Sequence, residues 1–321
     1  MNRQEMEARI VRYADLRPCK TAFIDAHTPG SDQKENFTII GGGVSESPDQ
    51  HVHIPLPHGF NIGAAGQPPK CRNSLHSHRT AEVFFVLSGR WRFFWGRWGT
   101  AGEVTLDPGD IINIPTGMFR GFENIGTDYG MIMAILGGDD AGGGVIWAPQ
   151  VIEDARDHGL ILAETGRLYD SHKGEQLPDG VAPMSLLTEQ QLKLFPEPTT
   201  AEVVPNAVAR YLDLMAFSDR APAKVIGADA LLADRPGFEV DFLSRPSAQT
   251  QAAASDKDTV LMPATGHWRV SWADGSVTLN PGDTASIPAD IAYTLEPAMT
   301  GEAGIYRVVA TEDPAGPTWR P

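Results

Sequence analysis

The residues best suited to chemistry lie in one short stretch, His76-Ser77-His78-Arg79-Thr80-Ala81-Glu82. Because side chains of a β-strand alternate between two faces, His76, His78 and Glu82 share one face if no bulge intervenes. Two imidazoles and a carboxylate suit a divalent first-row metal, and with open coordination positions they form the ligand set of non-haem Fe(II) oxygenases. The stretch therefore predicts a metal site held by these three side chains.

A second block of turn and polar residues follows, and the two blocks together resemble the two motifs of the cupin superfamily over roughly residues 60–135. The first motif is matched by His76, His78, Glu82 and Gly89, although Lys70 stands where the family has its opening glycine. The second motif is matched by Gly109, Pro115, Gly117 and Asn124. The turn Asp107-Pro108-Gly109-Asp110 by itself fits any β-barrel, so it supports the fold rather than a site.

The resemblance implies an activity and a cofactor. Bicupin dioxygenases of the gentisate or quercetin type oxidise small aromatic or carbonyl compounds. By analogy His76, His78 and Glu82 would hold the metal, which the substrate chelates through oxygens while O2 takes a remaining position. Fe(II) is the expected metal, with Mn(II), Ni(II) or Zn(II) as alternatives, because His and carboxylate ligands do not select sharply among them. An isomerase or a decarboxylase would use the same ligands, with the metal as a Lewis acid.

The main departure from the family pattern is Arg120, which stands where the family has its last metal-binding histidine. Arginine stays protonated and offers only hydrogen-bond donors, so it cannot ligate a metal. At 4 Å and an effective dielectric of about 20, its repulsion from a dication is about 8 kcal/mol. A metal and this guanidinium therefore cannot occupy the same place.

Three arrangements follow from this departure, and the sequence leaves them open. Arg120 turns away from the metal and acts in catalysis by binding an anionic substrate; or it pairs with Glu82 in a metal-free pocket; or another residue supplies the missing ligand. The candidates for that replacement are His51, His53 and His58. The competing class of function is a metal-free cupin that binds or senses a small acid, with Arg120 as the anion anchor.

The surrounding sequence predicts the elements that carry these residues. Short apolar runs separated by Gly, Pro, Asn and Asp are typical of barrel strands, and they occupy two regions of the chain. We expect an all-β protein with two cupin-type jelly-roll barrels joined by a partly helical linker. The predicted boundaries are an N-terminal arm at 1–35, the first barrel at 36–148, a linker at 149–220, the second barrel at 221–312 and a tail at 313–321.

Three helices are predicted outside the barrels. The spacing of Met6, Ile10 and Tyr13 favours an amphipathic helix over residues 2–14. A proline-led segment, 149–159, predicts a helix that ends at a glycine, and a capping-box pattern at Thr188 predicts a short one before Pro196.

An internal repeat predicts which residues of the second barrel stand at the positions of the metal ligands in the first. The turn Asn280-Pro281-Gly282-Asp283 repeats the spacing of the turn in the first barrel. Aligning the two turns places Ala253 and Ser255 at the positions of the two histidines, Thr259 at the glutamate and Tyr293 at Arg120. None of the four is a good metal ligand, so we expect this barrel to be structural or to bind something without a metal.

Composition restricts the partners and the surroundings of the chain. With 321 residues and 41% hydrophobic side chains, it has room for two separate cores. A net charge of -15 disfavours nucleic acid and anionic membranes as partners. The two cysteines, Cys19 and Cys71, and an amino terminus without a long apolar run favour a cytoplasmic protein. A small, anionic substrate is the expected partner, and a homodimer is compatible with the aromatic-rich sheets.

Overall fold

A computed structural model describes residues 1–138, 144–233 and 237–311 of the chain. The first segment contains helix α1 (Arg3–Glu7) and the two-residue strand β1 (Ile10–Val11), followed by a 3-10 helix at Tyr13–Asp15. The predicted tail, 313–321, lies outside the described residues. No helix in these three ranges is long and apolar enough to cross a membrane.

The first barrel is formed by the strands that follow the N-terminal arm. In chain order these are β2 (Glu35–Ile40), β3 (Val52–Ile54), β4 (Phe60–Gln67), β5 (Arg72–Ser77), β6 (Glu82–Ser88), β7 (Trp91–Trp95), β8 (Gly102–Leu106), β9 (Ile111–Ile114), β10 (Arg120–Asn124), β11 (Gly130–Gly137) and β12 (Ile146–Trp147).

A partly helical connection follows. It consists of α2 (Pro149–Asp157), β13 (Leu160–Leu162), β14 (Leu168–Asp170), a 3-10 helix (Ser171–Lys173), α3 (Glu189–Leu192), α4 (Thr200–Ala207), β15 (Val208–Ala209) and α5 (Tyr211–Phe217). The two helices predicted in this region, one opened by Pro149 and one capped by Thr188, are confirmed as α2 and α3.

The second barrel completes the described chain. Its strands are β16 (Ala223–Ile226), β17 (Phe238–Ser244), β18 (Gln249–Ala253), β19 (Thr259–Thr265), β20 (Trp268–Trp272), β21 (Gly275–Leu279), β22 (Thr284–Ile287), β23 (Tyr293–Pro297) and β24 (Gly304–Ala310).

Each barrel consists of two facing sheets, which is the jelly-roll arrangement that the sequence predicts. Within the described residues, the sheets of the first barrel have the orders β15-β9-β6-β11-β4-β2-β3 and β12-β5-β10-β7-β8. Those of the second barrel have the orders β1-β22-β19-β24-β17-β16 and β18-β23-β20-β21. The two larger sheets pack against each other through a shared apolar core, in which Phe85 of one barrel contacts Tyr306 of the other.

The two barrels exchange edge strands. Strand β1, which precedes the first barrel, pairs with β22 of the second, whereas β15, which precedes the second barrel, pairs with β9 of the first. The turn aspartates fasten both strands in the same way. Asp110 accepts hydrogen bonds from the Arg210 side chain (2.7 Å) and the Tyr211 backbone N–H (2.9 Å). Asp283 accepts the equivalent bonds from Arg12 and Tyr13, each 2.9 Å long.

Strand register supports the alignment of the repeat. In the first barrel, Arg120 lies opposite His76 on one side and opposite Trp95 on the other. In the second barrel, Tyr293 lies opposite Ala253 and opposite Trp272. The same positions of the two barrels are therefore occupied by Arg120 and Tyr293, as the turn spacing indicates.

The helix predicted over residues 2–14 is wrong in its length. A capping box at Asn2 begins α1, which ends at Glu7. Ile10 and Val11, which are β-branched, instead pair with Ala285 and Thr284 in the sheet of the second barrel. Tertiary pairing thus overrides the helical spacing of the arm.

Lys70, which stands where the cupin motif has its opening glycine, has a backbone conformation that favours glycine. Its φ is 65°, in the left-handed region where glycine is usual and a side chain is strained. Its N–H donates to the carbonyl oxygen of Asn124 at 2.7 Å, which holds this turn against β10. The backbone at this position therefore has a conformation that suits glycine, although the residue is lysine.

Candidate metal centre

The three candidate ligands come together, but from two strands rather than from one. His76 lies in β5 and His78 directly follows that strand, whereas Glu82 begins β6 in the other sheet. The prediction that a single strand presents all three is wrong, because the chain bends between the sheets at residues 78–81. One ligand atom from each side chain nevertheless lies within 4.8 Å of the other two, and all three residues are buried.

Both imidazoles are oriented by backbone carbonyls. His76 Nδ1 donates to the Ser74 carbonyl oxygen at 2.7 Å, and His78 Nδ1 lies 3.4 Å from the carbonyl oxygen of Gly144. Such contacts leave the lone pair on Nε2, which is the tautomer that metal-binding histidines use. His78 Nε2 then faces Glu82 Oε1 at 3.3 Å. A lone pair facing a carboxylate oxygen is stable only with a proton or a cation between them, so the donor set fits a divalent metal.

Arg120 forms a buried ion pair with Glu82. Its Nε donates to Glu82 Oε2 at 2.9 Å, and its Nη2 contacts the same oxygen. Its Nη1 donates to the carbonyl oxygen of His76 at 3.0 Å. The guanidinium therefore occupies one carboxylate oxygen, and Oε1, on the side of His78, is the oxygen left to face the imidazoles.

Burial and charge together set the protonation of the cluster. Burial alone would raise the pKa of Glu82, but the charge of Arg120, with a smaller contribution from His78, outweighs it and holds that pKa below its usual range. Burial, followed by the charge of Arg120, lowers the pKa of His76 well below its ordinary value. Glu82 is thus ionised and His76 neutral near pH 7, which are the states that bind a metal.

A small cavity of about 70 Å³ opens above the cluster, inside the first barrel. His76, His78 and Glu82 line it together with apolar side chains of the barrel interior, among them Phe84 and Leu136. An apolar cavity with a few convergent polar groups is typical of small-molecule sites.

The cavity is covered by the segment 19–34, which precedes β2 and which we call the cap. Cap residues Ala22 and Phe23 line the cavity, and Phe23 packs edge-on against Trp147 at a centroid distance of 6.0 Å. Glu46 fastens this contact, since it accepts hydrogen bonds from Trp147 Nε1 (2.6 Å) and from the Ile24 N–H (2.9 Å). Burial, only partly offset by these bonds, raises the pKa of Glu46 to about 8.

A second buried ion pair links the cap to His76, one of the candidate metal ligands. Lys34 pairs with Asp25 inside the cap, and Asp25 accepts a hydrogen bond of 3.0 Å from the backbone N–H of Ser74. The carbonyl oxygen of Ser74 is the acceptor that orients His76. The position of the cap is therefore coupled to the orientation of one candidate ligand.

The other histidines named from the sequence do not reach the cluster. None of His51, His53 and His58 is among the described residues that line the cavity. His53 Nδ1 lies 2.7 Å from the Thr38 carbonyl oxygen, and His58 Nε2 lies 2.7 Å from Ser286 Oγ. The idea that one of them replaces the missing ligand is therefore wrong, because their side chains lie away from the cavity that the candidate ligands line.

Other aromatic and cysteine side chains of the first barrel and the cap differ in whether they reach the cavity. The aromatic face of Trp91, Phe93 and Trp95 packs in the barrel core, where all three are fully buried. Cys71 is buried and does not line the cavity, whereas Cys19 of the cap does. The cap and Trp147 escaped the sequence analysis because they lie outside the two motif blocks, and no spacing rule marks them.

Comparison with known proteins supports the barrel architecture. Residues 66–136 match the family model described as a cupin domain. None of the curated proteins matches the chain by sequence.

Solved structures of oxalate decarboxylases are similar to this chain over most of its length. One, from a study of a structural element that modulates proton-coupled electron transfer in oxalate decarboxylase, has a TM-score of 0.55 and 12% identity over 95% of this chain and 77% of its own. A mutant of the Bacillus subtilis oxalate decarboxylase has a TM-score of 0.54 and 12% identity, covering 96% and 78%. The Lactobacillus farciminis oxalate decarboxylase in complex with formate gives 0.54 and 12%, covering 96% and 86%. At this identity, the likeness concerns the fold.

Proposed function

We propose that the chain is a two-barrel cupin whose first barrel, part of which matches the cupin family model, is the active site of a divalent-metal-dependent enzyme that decarboxylates a small carboxylic acid. The observation that carries the proposal is the convergence of His76, His78 and Glu82, with both imidazoles oriented by backbone carbonyls, below a buried cavity.

The charge of the site favours an anionic substrate. A dication bound by His76, His78 and Glu82 would leave a net positive site, because Glu82 neutralises only one unit and Arg120 adds another. A carboxylate entering this buried site gains more from the positive field than it would in water. The similar oxalate decarboxylases act on a carboxylic acid, and one of them is complexed with formate. A cavity of about 70 Å³ restricts the substrate to a small molecule.

The bound metal would act as a Lewis acid that withdraws electrons from the coordinated substrate oxygens. In decarboxylation the bond between the carboxylate carbon and its neighbour breaks, CO2 leaves, and the remaining carbon takes a proton. Glu82 cannot supply that proton, because Arg120 keeps it ionised. In our proposal the carboxylate holds the metal, and the proton comes from another donor such as water.

A metal-free cupin that binds a small acid is the second candidate, and the Arg120–Glu82 ion pair favours it. In that arrangement Glu82 has its counter-charge without a metal, and the cavity serves only for binding. The dioxygenase predicted from the sequence uses the same metal ligands and differs in consuming O2.

One set of measurements separates these functions. Protein purified without chelator should contain about one equivalent of a transition metal in the first barrel, and His76→Ala should lose it. His267→Ala, which alters a histidine of the second barrel, is the matched control and should retain it. With a panel of small carboxylic acids, we expect CO2 release without stoichiometric O2 uptake. Matching O2 uptake would establish the dioxygenase instead, and ligand binding without metal or turnover would establish the binding protein.

A further inference from the structure

A second group of potential metal ligands lies outside the barrel cavity. His27 of the cap, Asp170 at the end of β14 and His172 of the following 3-10 helix each offer a ligand atom, and these atoms lie within 4.8 Å of one another. We propose that these three residues form a zinc-type metal site that fastens the cap to the linker hairpin β13–β14. This proposal is independent of the proposed function.

The distance between two of the ligands suits one ion. His27 Nε2 and Asp170 Oδ2 are 3.5 Å apart. Two ligand atoms about 2.1 Å from a tetrahedral zinc are separated by about 3.4 Å. The pair is therefore spaced as it would be around such an ion.

The carboxylates around His27, Asp170 and His172 favour a bound cation. Asp170 is buried, and its Oδ1 accepts a hydrogen bond of 2.9 Å from the backbone N–H of His172. A second carboxylate is close, because Glu175 accepts a hydrogen bond from the Asp170 N–H at 3.0 Å. A buried carboxylate is stabilised by a positive counter-charge, which a metal ion bound by this group would supply.

His27 presents Nε2 to the carboxylate of Asp170. Its other ring nitrogen, Nδ1, is buried and has no hydrogen-bond partner among the described residues. Nε2 is therefore the ring nitrogen that is placed to share an ion with Asp170.

Binding requires one side chain to turn. The rings of His27 and His172 are stacked, with 4.7 Å between centroids and 7° between planes. Because an imidazole binds a metal in the plane of its ring, one ion cannot lie in the planes of two stacked rings. His172 is exposed, so its ring is free to rotate towards the ion. With three protein ligands, a water molecule would complete a tetrahedral zinc.

The direct test is a Zn²⁺ titration against a chromophoric chelator in the His76→Ala background, which disables the barrel cluster. We expect one equivalent to bind, and we expect adding His172→Ala to abolish it. Asp170→Asn should weaken binding while it keeps the side-chain oxygen that caps the 3-10 helix. His158→Ala, which alters a half-buried histidine of the linker, is the matched control and should leave binding unchanged. If Zn²⁺ binds equally well with and without His172, or does not bind at all, the proposed site is overturned.

Hydrogen exchange provides a second readout that does not depend on activity. If opening of the cap breaks the site, zinc at about 100 times its dissociation constant should slow exchange in the cap about 100-fold. The slowing should disappear with His172→Ala. Unchanged exchange in the cap on zinc binding would contradict the role as a fastener. A failure of metal binding at His76 would leave both results unaffected, so the two proposals fail separately.

Discussion

Replacing Arg120 with histidine tests whether this residue limits metal binding in the first barrel. The change introduces the histidine that the cupin motif has at this position and removes a buried positive charge that contacts Glu82. At about 4 Å and an effective dielectric of about 20, repulsion between a guanidinium and a dication amounts to about 8 kcal/mol. If relaxation removed two thirds of this, about 2.7 kcal/mol would remain, equivalent to about 100-fold in affinity. We therefore expect Arg120→His to bind Zn²⁺ or Mn²⁺ at least 100-fold more tightly.

The same variant should be less stable without metal. Removing one partner of a buried ion pair costs about 3–5 kcal/mol, because the other charge is left unpaired. Free metal at about 1,000 times the dissociation constant returns about 4 kcal/mol. Urea unfolding with and without metal should thus show a much larger metal-induced gain in Arg120→His than in the wild type.

The second barrel provides the control for this experiment. Tyr293→His places the same side chain at the equivalent position, where Ala253 and Thr259 offer no imidazole or carboxylate. It should not raise metal affinity. Equal affinities of Arg120→His and the wild type would refute the reasoning, because they would mean that the guanidinium already lies clear of the metal position.

Three further predictions concern stability. Glu82→Gln leaves Arg120 buried without a counter-charge and should lower the free energy of unfolding by about 3–5 kcal/mol. The control Glu103→Gln alters an exposed carboxylate and should change the free energy of unfolding little. Equal effects of the two variants in urea denaturation would contradict the ion-pair argument. Lys70→Gly relieves the strain of a side chain on a left-handed backbone and should raise the free energy of unfolding by about 0.5–1 kcal/mol. A loss of stability would show that contacts of the Lys70 side chain outweigh this backbone strain. The pKa of Glu46 is raised to about 8 in the folded state, whereas the unfolded state loses this proton above about pH 4.5. The folded state therefore binds one more proton than the unfolded state in this range, and the free energy of unfolding should fall by about 2–3 kcal/mol between pH 6 and 9. Glu46→Gln should lack this component of the decline in parallel urea titrations, and an identical pH dependence would place the pKa elsewhere.

Much of the architecture was predictable because β-barrels depend on local patterns. Runs of apolar residues between turn residues mark the strands, and the two Pro-Gly-Asp turns mark the repeat. The N-terminal strand was missed because its pairing partner, β22, lies near the other end of the chain, and a helical spacing of three residues outweighed two β-branched ones. Pairing between strands so far apart in the sequence produces no local sequence pattern from which it could be predicted.

The candidate site was predictable in its ligands but not in its surroundings. The spacing of His76, His78 and Glu82 brought the right residues together for a partly wrong reason, since they come from two sheets. The direction of the Arg120 side chain depends on whether its guanidinium pairs with Glu82 or turns away from a bound metal. The spacing of residues along the sequence cannot decide between these two arrangements. The cap owes its position to single contacts, such as Asp25 with Ser74, which have no sequence period.

The exchanged edge strands change how the molecule is best divided. The sequence Arg-Tyr-x-Asp-Leu occurs at Arg12 and again at Arg210, and each copy fastens to the barrel that does not follow it. In this respect the chain resembles a domain-swapped dimer whose two subunits have been joined end to end. A half-chain made of one such arm and the barrel that follows it would carry a strand without its partner sheet and a sheet edge without its strand. Two such halves could satisfy both by pairing with each other, so cutting the linker would yield dimerising units rather than independent domains.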